Sequence, residues 1–457
     1  MKTLRVNPAL FLWAIILGCI LSSPPLLRAE GRPPLSLPEA IDLALRFNPN
    51  IHAARHQVDA AVAQTTQARS GLMPQVDVSE TYSRTNSPLW AFGTKLNQGA
   101  ITAEDFSPNR LNDPDAIDNF KTALTLTWSL FDGGKTWTGW RQSERNQEAG
   151  RLALVRNEQT VIAQTAATYA ACLLSVENRN VITQALETAR AHLKVVEDRM
   201  RSGLAVKSDE LRAQVRIADL EQQQLQAESQ MQVALAMLGA AMGRPEAVPA
   251  AEGLETPLRA NEPLQGDVDA WVNRALAHRP DLKQLNIQEE IAKAEVDRAR
   301  AGHYPSLALQ GNYEINTEQF DDSQDSYTVG AVVQLNLFSG QRISGQSAEA
   351  RALLSRIRAM REALALGVRV DAQQAFHQAQ SAWQSIEVAR RAMAQSEEGL
   401  RIVADRYQNG LLALVSLLDA QVANQQAQMQ HSKALHDYMV ARVALALASG
   451  QIDKDFH

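Results

Sequence analysis

Residues 405–421 read DRYQNGLLALVSLLDAQ, in which a glycine turn separates two segments with helical spacing. A weaker copy, DRMRSGLAVKSDELRAQ, occupies residues 198–214. Identical Asp, Arg, Gly, Leu, Leu, Ala and Gln residues recur between the copies at a constant offset of 207. Glycine tolerates the left-handed conformation that ends many helices. The two stretches therefore predict two helical hairpins and a duplicated architecture.

The duplication extends in both directions from these turns. Phe131 matches Phe338 and Gly243 matches Gly450 at the same offset of 207, whereas Pro49 matches Pro280 at an offset of 231. The difference of 24 indicates an insertion in the first half, before Phe131. We expect a first repeat at 30–243 and a second at 269–450.

The termini and the connector complete this division. Residues 1–29 have the basic start, the apolar segment and the Ala29 cleavage site of a signal peptide. A competing possibility is lipidation at Cys19, because residues 16–19 (ILGC) resemble a lipobox. A connector rich in Pro and Glu covers 244–268, and 451–457 is a short tail.

Composition favours long, solvated helices in an exported protein. The chain is 45% hydrophobic but only 5% aromatic, and its net charge is −6, which makes nucleic acid an improbable partner. After cleavage only Cys172 remains, so an intrachain disulfide is excluded. Beyond the N-terminus, no stretch has the roughly 18 unbroken apolar residues of a membrane helix.

Hydrophobic periodicity predicts the same order of elements in each half. In the first half we expect a helix over 37–70 interrupted near Asn48-Pro49, then helices at 135–200 and 208–242. In the second half we expect one helix at 269–301, a long helix from beyond residue 338 to 407, and a final helix that ends at 450. Heptad-like spacing indicates coiled-coil packing, and the longer helices would measure about 100 Å.

Four segments, at 75–83, 124–130, 306–315 and 327–338, alternate between apolar and polar residues. Such two-faced strands suit a barrel wall between lipid and water. Four strands cannot close a barrel, and an open edge cannot lie in lipid. Since the smallest membrane barrels have about eight strands, two or three chains must share one.

The loop predicted over 84–120 has three possible roles. With Trp90 and Phe92 it could be a surface cap, an attachment site for phage or an ordinary exposed loop.

The chain resembles the TolC family of outer-membrane efflux channels over nearly its full mature length. The residues that carry the resemblance are Leu35-Ser-Leu-Pro-Glu-Ala40 with Asn48-Pro49, the two Leu-Phe-x-Gly elements, and the Arg-x-x-x-Gly-Leu turns at Arg199 and Arg406. The resemblance implies a mainly α fold: a trimeric twelve-stranded β-barrel continued by a periplasmic α-barrel of helical hairpins. It further implies an exit duct without a cofactor, in the outer membrane, for a tripartite efflux pump or type I secretion system.

In that family, acidic residues just after the turns constrict the tunnel. The matching positions here are Asp209, Ser416 and Asp419, so the resemblance implies a pore gate at these residues. Ser416 replaces an acidic residue and Leu412 replaces a basic one, which implies a weaker polar lock. Helix capping is the alternative, with Ser208 as an N-cap and Ser416-x-x-Asp419 as a capping box.

The turns themselves are the positions that the resemblance assigns to docking of a periplasmic adaptor. The residues concerned are Gly203, Leu204, Gly410 and Leu411. The alternative is a turn with no partner.

Three other interpretations of the chain have weaker support. Gly133-Gly-Lys-Thr136 resembles the end of a P-loop, but the required first glycine would fall at Ser129. His52 and His56 have the spacing of a metal-binding pair on one helix face. The heptads would also suit a secreted coiled-coil scaffold, although a scaffold has no need of two-faced strands. The sequence contains no recognisable catalytic cluster.

Overall fold

The computed structural model describes residues 34–249, 253–259, 262–319 and 322–453. The expected signal peptide, and Cys19 with it, lies outside these residues. The expected division into two repeats remains a prediction, although the order of elements that follows is the same in both halves.

The first half contains six helices and two strands in its described part. In chain order they are α1 (Leu37–Phe47), α2 (Pro49–Ser70), β1 (Gln75–Thr85), α3 (Pro88–Asn97), α4 (Pro108–Asn112), β2 (Ile117–Phe131), α5 (Lys135–Arg201) and α6 (Lys207–Met242). A 3₁₀ turn, Ala103–Phe106, lies between α3 and α4.

The second half repeats this plan without the insertion. Its elements are α7 (Val268–His278), α8 (Pro280–Arg300), β3 (Ser306–Gln319), β4 (Asp322–Gln334), α9 (Arg342–Gln408) and α10 (Leu414–Ala448). The long helices α5 and α9 have 67 residues each, and their return helices α6 and α10 have 36 and 35. The predicted outer bounds of the helices are confirmed to within a few residues, but the single helix expected over 269–301 is broken at Arg279 into α7 and α8.

Three predictions about the strands are wrong. β3 continues to Gln319 and β4 begins at Asp322, rather than ending at 315 and beginning at 327. The segment 84–120 is not an irregular loop, because it contains α3, the 3₁₀ turn, α4 and the start of β2. The fourth strand ends at Gln334 rather than 338, since Gln334 pairs with Ser306, the first residue of β3. Apolar and polar residues continue to alternate beyond Gln334, but β3 has no further residues that could pair with them.

The strands form one antiparallel sheet in the order β1-β2-β3-β4. The register places polar side chains on one face, which we call the polar face. It includes Asp77, Ser79, Thr81, Asn119, Lys121, Thr125, Asn312, Glu314, Asn316, Gln324, Ser326 and Thr328. The opposite, apolar face includes Val76, Val78, Leu124, Leu126, Leu309, Ile315, Val329 and Val333.

The helices form a column beyond one end of the sheet. Each long helix packs against its own return helix, and the shorter helices α2 and α8 pack beside α5. Within the described ranges, no helix is both long enough and apolar enough to cross a bilayer.

The middle of the column contains the main hydrophobic core and two matching helix breaks. Tyr169 of α5 is fully buried there, and its hydroxyl donates to the carbonyl of Leu35 at 2.8 Å. The break at Asn48 meets the end of α6, where the Asn48 side-chain amide donates to the carbonyl of Ala241 at 2.8 Å. The equivalent break at Arg279 packs against Gly450, just beyond α10. Pro49 and Pro280, which begin new helices after these breaks, thus lie beside the ends of the return helices α6 and α10.

Candidate functional site at the hairpin tips

Both predicted turns close the end of the column that lies away from the sheet. We call residues 199–209 the first tip and residues 406–419 the second tip. In the first tip the Gly203 amide donates to the Met200 carbonyl at 3.0 Å and the Leu204 amide donates to the Arg199 carbonyl at 2.8 Å. This pair of bonds is the Schellman motif, which requires a left-handed residue. Gly203 supplies it with a φ of +75°.

The second tip has the same geometry. Gly410 has a φ of +76°, and its amide donates to the Tyr407 carbonyl at 2.9 Å. The residue after each glycine is a leucine that points away from the protein. Leu204 is 71% exposed and Leu411 is 72% exposed. The sequence therefore identified both turns correctly, and it presents one apolar side chain at each.

The two tips contact each other through a residue pair that sequence analysis missed. The Arg199 guanidinium lies 4.9 Å from the centre of the Tyr407 ring, and its Nη1 donates to the Tyr407 carbonyl at 2.6 Å. Tyr407 is buried in an apolar cluster with Val196, Leu414 and Leu417. The repetition of Arg at 199 and 406 was visible in the sequence. The contact partner, 208 residues away, was not.

Asp209 lies close to this contact, whereas the other two expected gate residues do not share it. Burial raises the pKa of Tyr407, and the charge of Asp209 raises it further, against the opposing charge of Arg199. Ser416 is half-buried on α10, and Asp419 is exposed one helical turn later. Among the described contacts of one protomer, no hydrogen bond or ion pair joins these three side chains.

The side-chain caps that the helix-capping alternative predicts are absent at both tips. The N-cap of α6 is Val206, so Ser208 already lies inside the helix and caps nothing. The N-cap of α10 is Ala413, and Ser416 with Asp419 forms no capping box there. Asp209 still occupies the first turn of α6, where its charge favours the helix dipole. Asp419 lies beyond the first turn, so no helix-end role accounts for it.

A polar layer lies above the tips, between the two return helices. Arg216 of α6 donates to Gln425 of α10 at 2.5 Å, and Gln425 donates to Gln223 at 2.8 Å. A cavity of about 60 Å³ adjoins these side chains. Glu210, buried in the first turn of α6, accepts from Lys207 at 2.6 Å. The bonds of Arg216 and Gln223 to Gln425 therefore connect the two return helices by polar contacts, in addition to apolar packing.

The other candidate residues show no comparable arrangement. His52 and His56 are both exposed on α2, and His56 Nδ1 lies 3.2 Å from Asp59 Oδ2. Across the described residues, no group of three or more His, Cys, Asp or Glu side chains is placed to hold a metal ion. Lys135 begins α5 after two left-handed glycines, Gly133 and Gly134.

A column of helical hairpins that carries a small antiparallel sheet at one end is also the fold of solved outer-membrane channel proteins. The structure of the outer membrane protein VceC from Vibrio cholerae aligns with a TM-score of 0.74 at 21% identity, covering 91% of this chain and 96% of that one. That similarity establishes the fold.

The model of the outer membrane efflux protein family matches residues 40–244 and 271–451. The chain belongs to this family. Protein CyaE of Bordetella pertussis is 26% identical over 461 residues, which cover 95% of this chain and 91% of the relative. The proteases secretion protein PrtF of Dickeya chrysanthemi is 20% identical, with coverages of 96% and 93%. The protein is thus an outer-membrane channel for efflux or type I secretion, which excludes the scaffold interpretation.

Proposed function

We propose that the channel is a homotrimer in which three sheets close one twelve-stranded barrel. The observation that carries this proposal is the two-faced sheet with both edge strands open. Every residue of β4 is exposed in the single chain, including Tyr327, Val329 and Val333, each more than 70% exposed on the apolar face. Lipid on one face and water on the other suit this pattern, and in lipid each open edge needs a partner strand.

The mass of the purified protein in detergent tests the assembly. A trimer of the mature chain is expected, and it should fractionate with the outer membrane. A dimer or a monomer in detergent would contradict the proposal, because β1 and β4 would then lack the partners that a twelve-stranded barrel supplies.

We further propose that the two tips bind a periplasmic adaptor. Two exposed leucines per chain, six per trimer, would surround the tunnel entrance and supply apolar contacts in a polar setting. The relatives named as secretion proteins support a role in a multi-component system, and the adaptor would connect this duct to an inner-membrane pump.

We also propose that Asp209 and Asp419 narrow the entrance as acidic rings, with Ser416 between them in the wall. In a trimer each carboxylate occurs three times around one axis, which concentrates negative charge and attracts cations. The absence of capping bonds at Ser208 and Ser416 supports this role, because it leaves only the helix dipole as a competing role for Asp209 and none for Asp419. The contact between Arg199 and Tyr407 would hold the tips in the narrow state.

A final proposal concerns the origin of the fold. We infer that 30–243 and 269–450 are repeats joined by the connector 244–268. The matching helix breaks at Asn48 and Arg279, each packed against the end of the opposite helix of its half, support this division.

A further inference from the structure

The insertion that distinguishes the first half folds over the sheet instead of projecting from it. We call residues 86–116, which contain α3, the 3₁₀ turn and α4, the cap. The cap connects β1 to β2 at the end of the sheet away from the helical column. It has a structure of its own: the rings of Phe92 and Phe106 meet edge to face at 5.6 Å, and Lys95 donates to Asp105 at 2.8 Å.

The cap contacts the polar face of the sheet. Gln98, which follows α3, donates from Nε2 to the side-chain oxygen of Asn119 at 2.9 Å and to the Asp118 carbonyl at 2.8 Å. Asn119 of β2 in turn donates to Asn316 of β3 at 2.9 Å. One residue further along the cap, Gly99 approaches the side chain of Gln324 on β4. The cap therefore crosses the sheet from β2 to β4.

Burial confirms which face is covered. Asn316 is 1% exposed and Asn119 is 7% exposed, although both belong to the polar face at the outer end of their strands. On the apolar face at the same end of the sheet, Tyr82 is 57% exposed. Buried amides in a hydrogen-bonded chain hold one arrangement firmly, because each lost partner costs the full desolvation of the group left behind.

We propose that the cap is an inward plug that narrows the outer mouth of the channel and limits the size of what passes. This rests on the proposed closed barrel, in which the polar face lines the water path. Lipid requires the apolar face to point outward, so a segment held on the polar face must lie inside. Three caps around one axis would form a second constriction, in series with the tips and more than the length of the column away from them.

The contacts of the plug also indicate how it opens. It is joined to the sheet by amide hydrogen bonds from Gln98, while Lys95 and Asp105 hold it together internally. The buried amides resist release until water replaces each lost hydrogen bond, and the pair Lys95–Asp105 would then keep the released cap folded as a unit. Such an opening would admit large cargo while the barrel wall stays intact.

Accessibility of a single cysteine from outside intact cells tests the plug. Ser79→Cys places the reporter on the polar face, opposite Ala123 and about 13 Å below Asn119 at the rise of a strand. The native Cys172 is buried in α5 and stays silent. Two reagents are compared, a small charged methanethiosulfonate and a maleimide on a wide polymer chain. Each is applied to Ser79→Cys in three backgrounds: the native cap, a cap in which a short Gly-Ser linker replaces residues 88–114, and the Asn119→Ala variant.

We expect the small reagent to label Ser79→Cys in every background, and the polymer to label it severalfold faster once the cap is removed. Asn119→Ala should give an intermediate rate, and it carries the test if the deletion fails to reach the outer membrane. The proposal would be overturned if the polymer maleimide labelled Ser79→Cys at the same rate with and without the cap, or at the same rate with Asn119 and with Asn119→Ala.

A second reporter separates this failure from a failure of the channel assignment. Glu104→Cys lies on the cap, where the Glu104 side chain is 79% exposed, and both reagents should label it from outside. If Glu104→Cys is labelled and Ser79→Cys is insensitive to the cap, only the plug is wrong. If Glu104→Cys resists both reagents in protein that is present in the outer membrane, the orientation of the sheet is wrong and the plug falls with it.

Discussion

At the scale of single residues, the contact between Arg199 and Tyr407 is the feature that links the two hairpins. It combines a cation over an aromatic face with a charged donor on a backbone carbonyl. Both components are stronger where water is excluded, and Tyr407 is only 5% exposed. One side chain thus couples the geometry of the first tip to that of the second.

Substitution of Arg199 should loosen the tips. Arg199→Ala removes both interactions, at an expected cost of about 1–3 kcal/mol in the free energy of unfolding, and should raise the resting single-channel conductance. Tyr407→Phe is the matched control, because it keeps the ring under Arg199 and the backbone carbonyl. An Arg199→Ala channel with the resting conductance of the native protein would show that this contact does not restrain the entrance.

Substitution of Gly410, the glycine of the second tip, should also impair the protein. Gly410→Ala forces a Cβ into a left-handed residue, which costs about 1–2 kcal/mol, and places it 3.3 Å from Arg199 Nη2. Export should fall while the oligomer still assembles. The control is Gly399→Ala inside α9, the helix that Gly410 follows, where nothing except the helix's own neighbouring backbone lies within 4 Å of the new methyl group. That change should stabilise the helix by up to about 1 kcal/mol. Native export by a folded Gly410→Ala protein would argue against docking at this turn.

At the scale of elements, the long helices are held by polar contacts as well as by heptad packing. Glu289 of α8 is 5% exposed and accepts from Arg358 of α9 at 3.1 Å and from Arg361 at 2.6 Å. Lys293, one turn along α8, lies 2.9 Å from the same carboxylate. Three cations therefore fix one buried anion between two helices.

Neutralising Glu289 should separate these helices. The hydrogen bond from Lys293, followed by that from Arg358, lowers the pKa of Glu289. A lowered carboxyl pKa adds stability above the unfolded value of about 4.3, and this contribution is lost as pH falls through the folded pKa. Glu289→Gln should reduce the free energy of unfolding by about 1–3 kcal/mol at pH 7, measured by chemical denaturation, and the difference should shrink in acid.

The neighbouring Glu290 provides the control for this change. Its carboxylate lies 3.5 Å from Arg145 Nε and is 54% exposed, and such surface pairs contribute about 0–1 kcal/mol. A loss in Glu290→Gln equal to that in Glu289→Gln would show that burial of the ion pairs is not what matters.

At the scale of the whole molecule, the acidic gate exists only in the assembly, because one chain contributes one Asp209 and one Asp419. The double variant Asp209→Asn, Asp419→Asn should raise the resting conductance, weaken cation selectivity and abolish block by multivalent cations, because the rings lose their charge. Single-channel recording in planar bilayers measures all three quantities.

Charge removal elsewhere on the same two helices provides the comparison. Glu228→Gln on α6 with Asp437→Asn on α10 changes the net charge equally, but far from the tips. If both double variants shift selectivity alike, the effect belongs to the overall charge of the tunnel and not to a ring at its entrance.

The sequence by itself determined the helices, the turns and the two faces of the strands. Each is a local property: Gly203 and Gly410 mark left-handed helix ends, Pro49 marks a helix start, and alternation separates the two faces of β2. Pro280 carries the same helix-start signal, although the periodicity of 269–301 predicts one continuous helix there. Pro88 and Pro108 carried the same helix-start signal inside the cap, but the surrounding Asn and Asp residues concealed it.

Only the tertiary structure decided what these elements meet. The link from Arg199 to Tyr407 spans 208 residues and that from Asn119 to Asn316 spans 197, so no local pattern could pair them. The end of β4 depended on where β3 begins, and the loss of the expected caps depended on turns that end at Val206 and Ala413. Periodicity encodes which face of an element is apolar, whereas the partner on that face is chosen by packing in three dimensions.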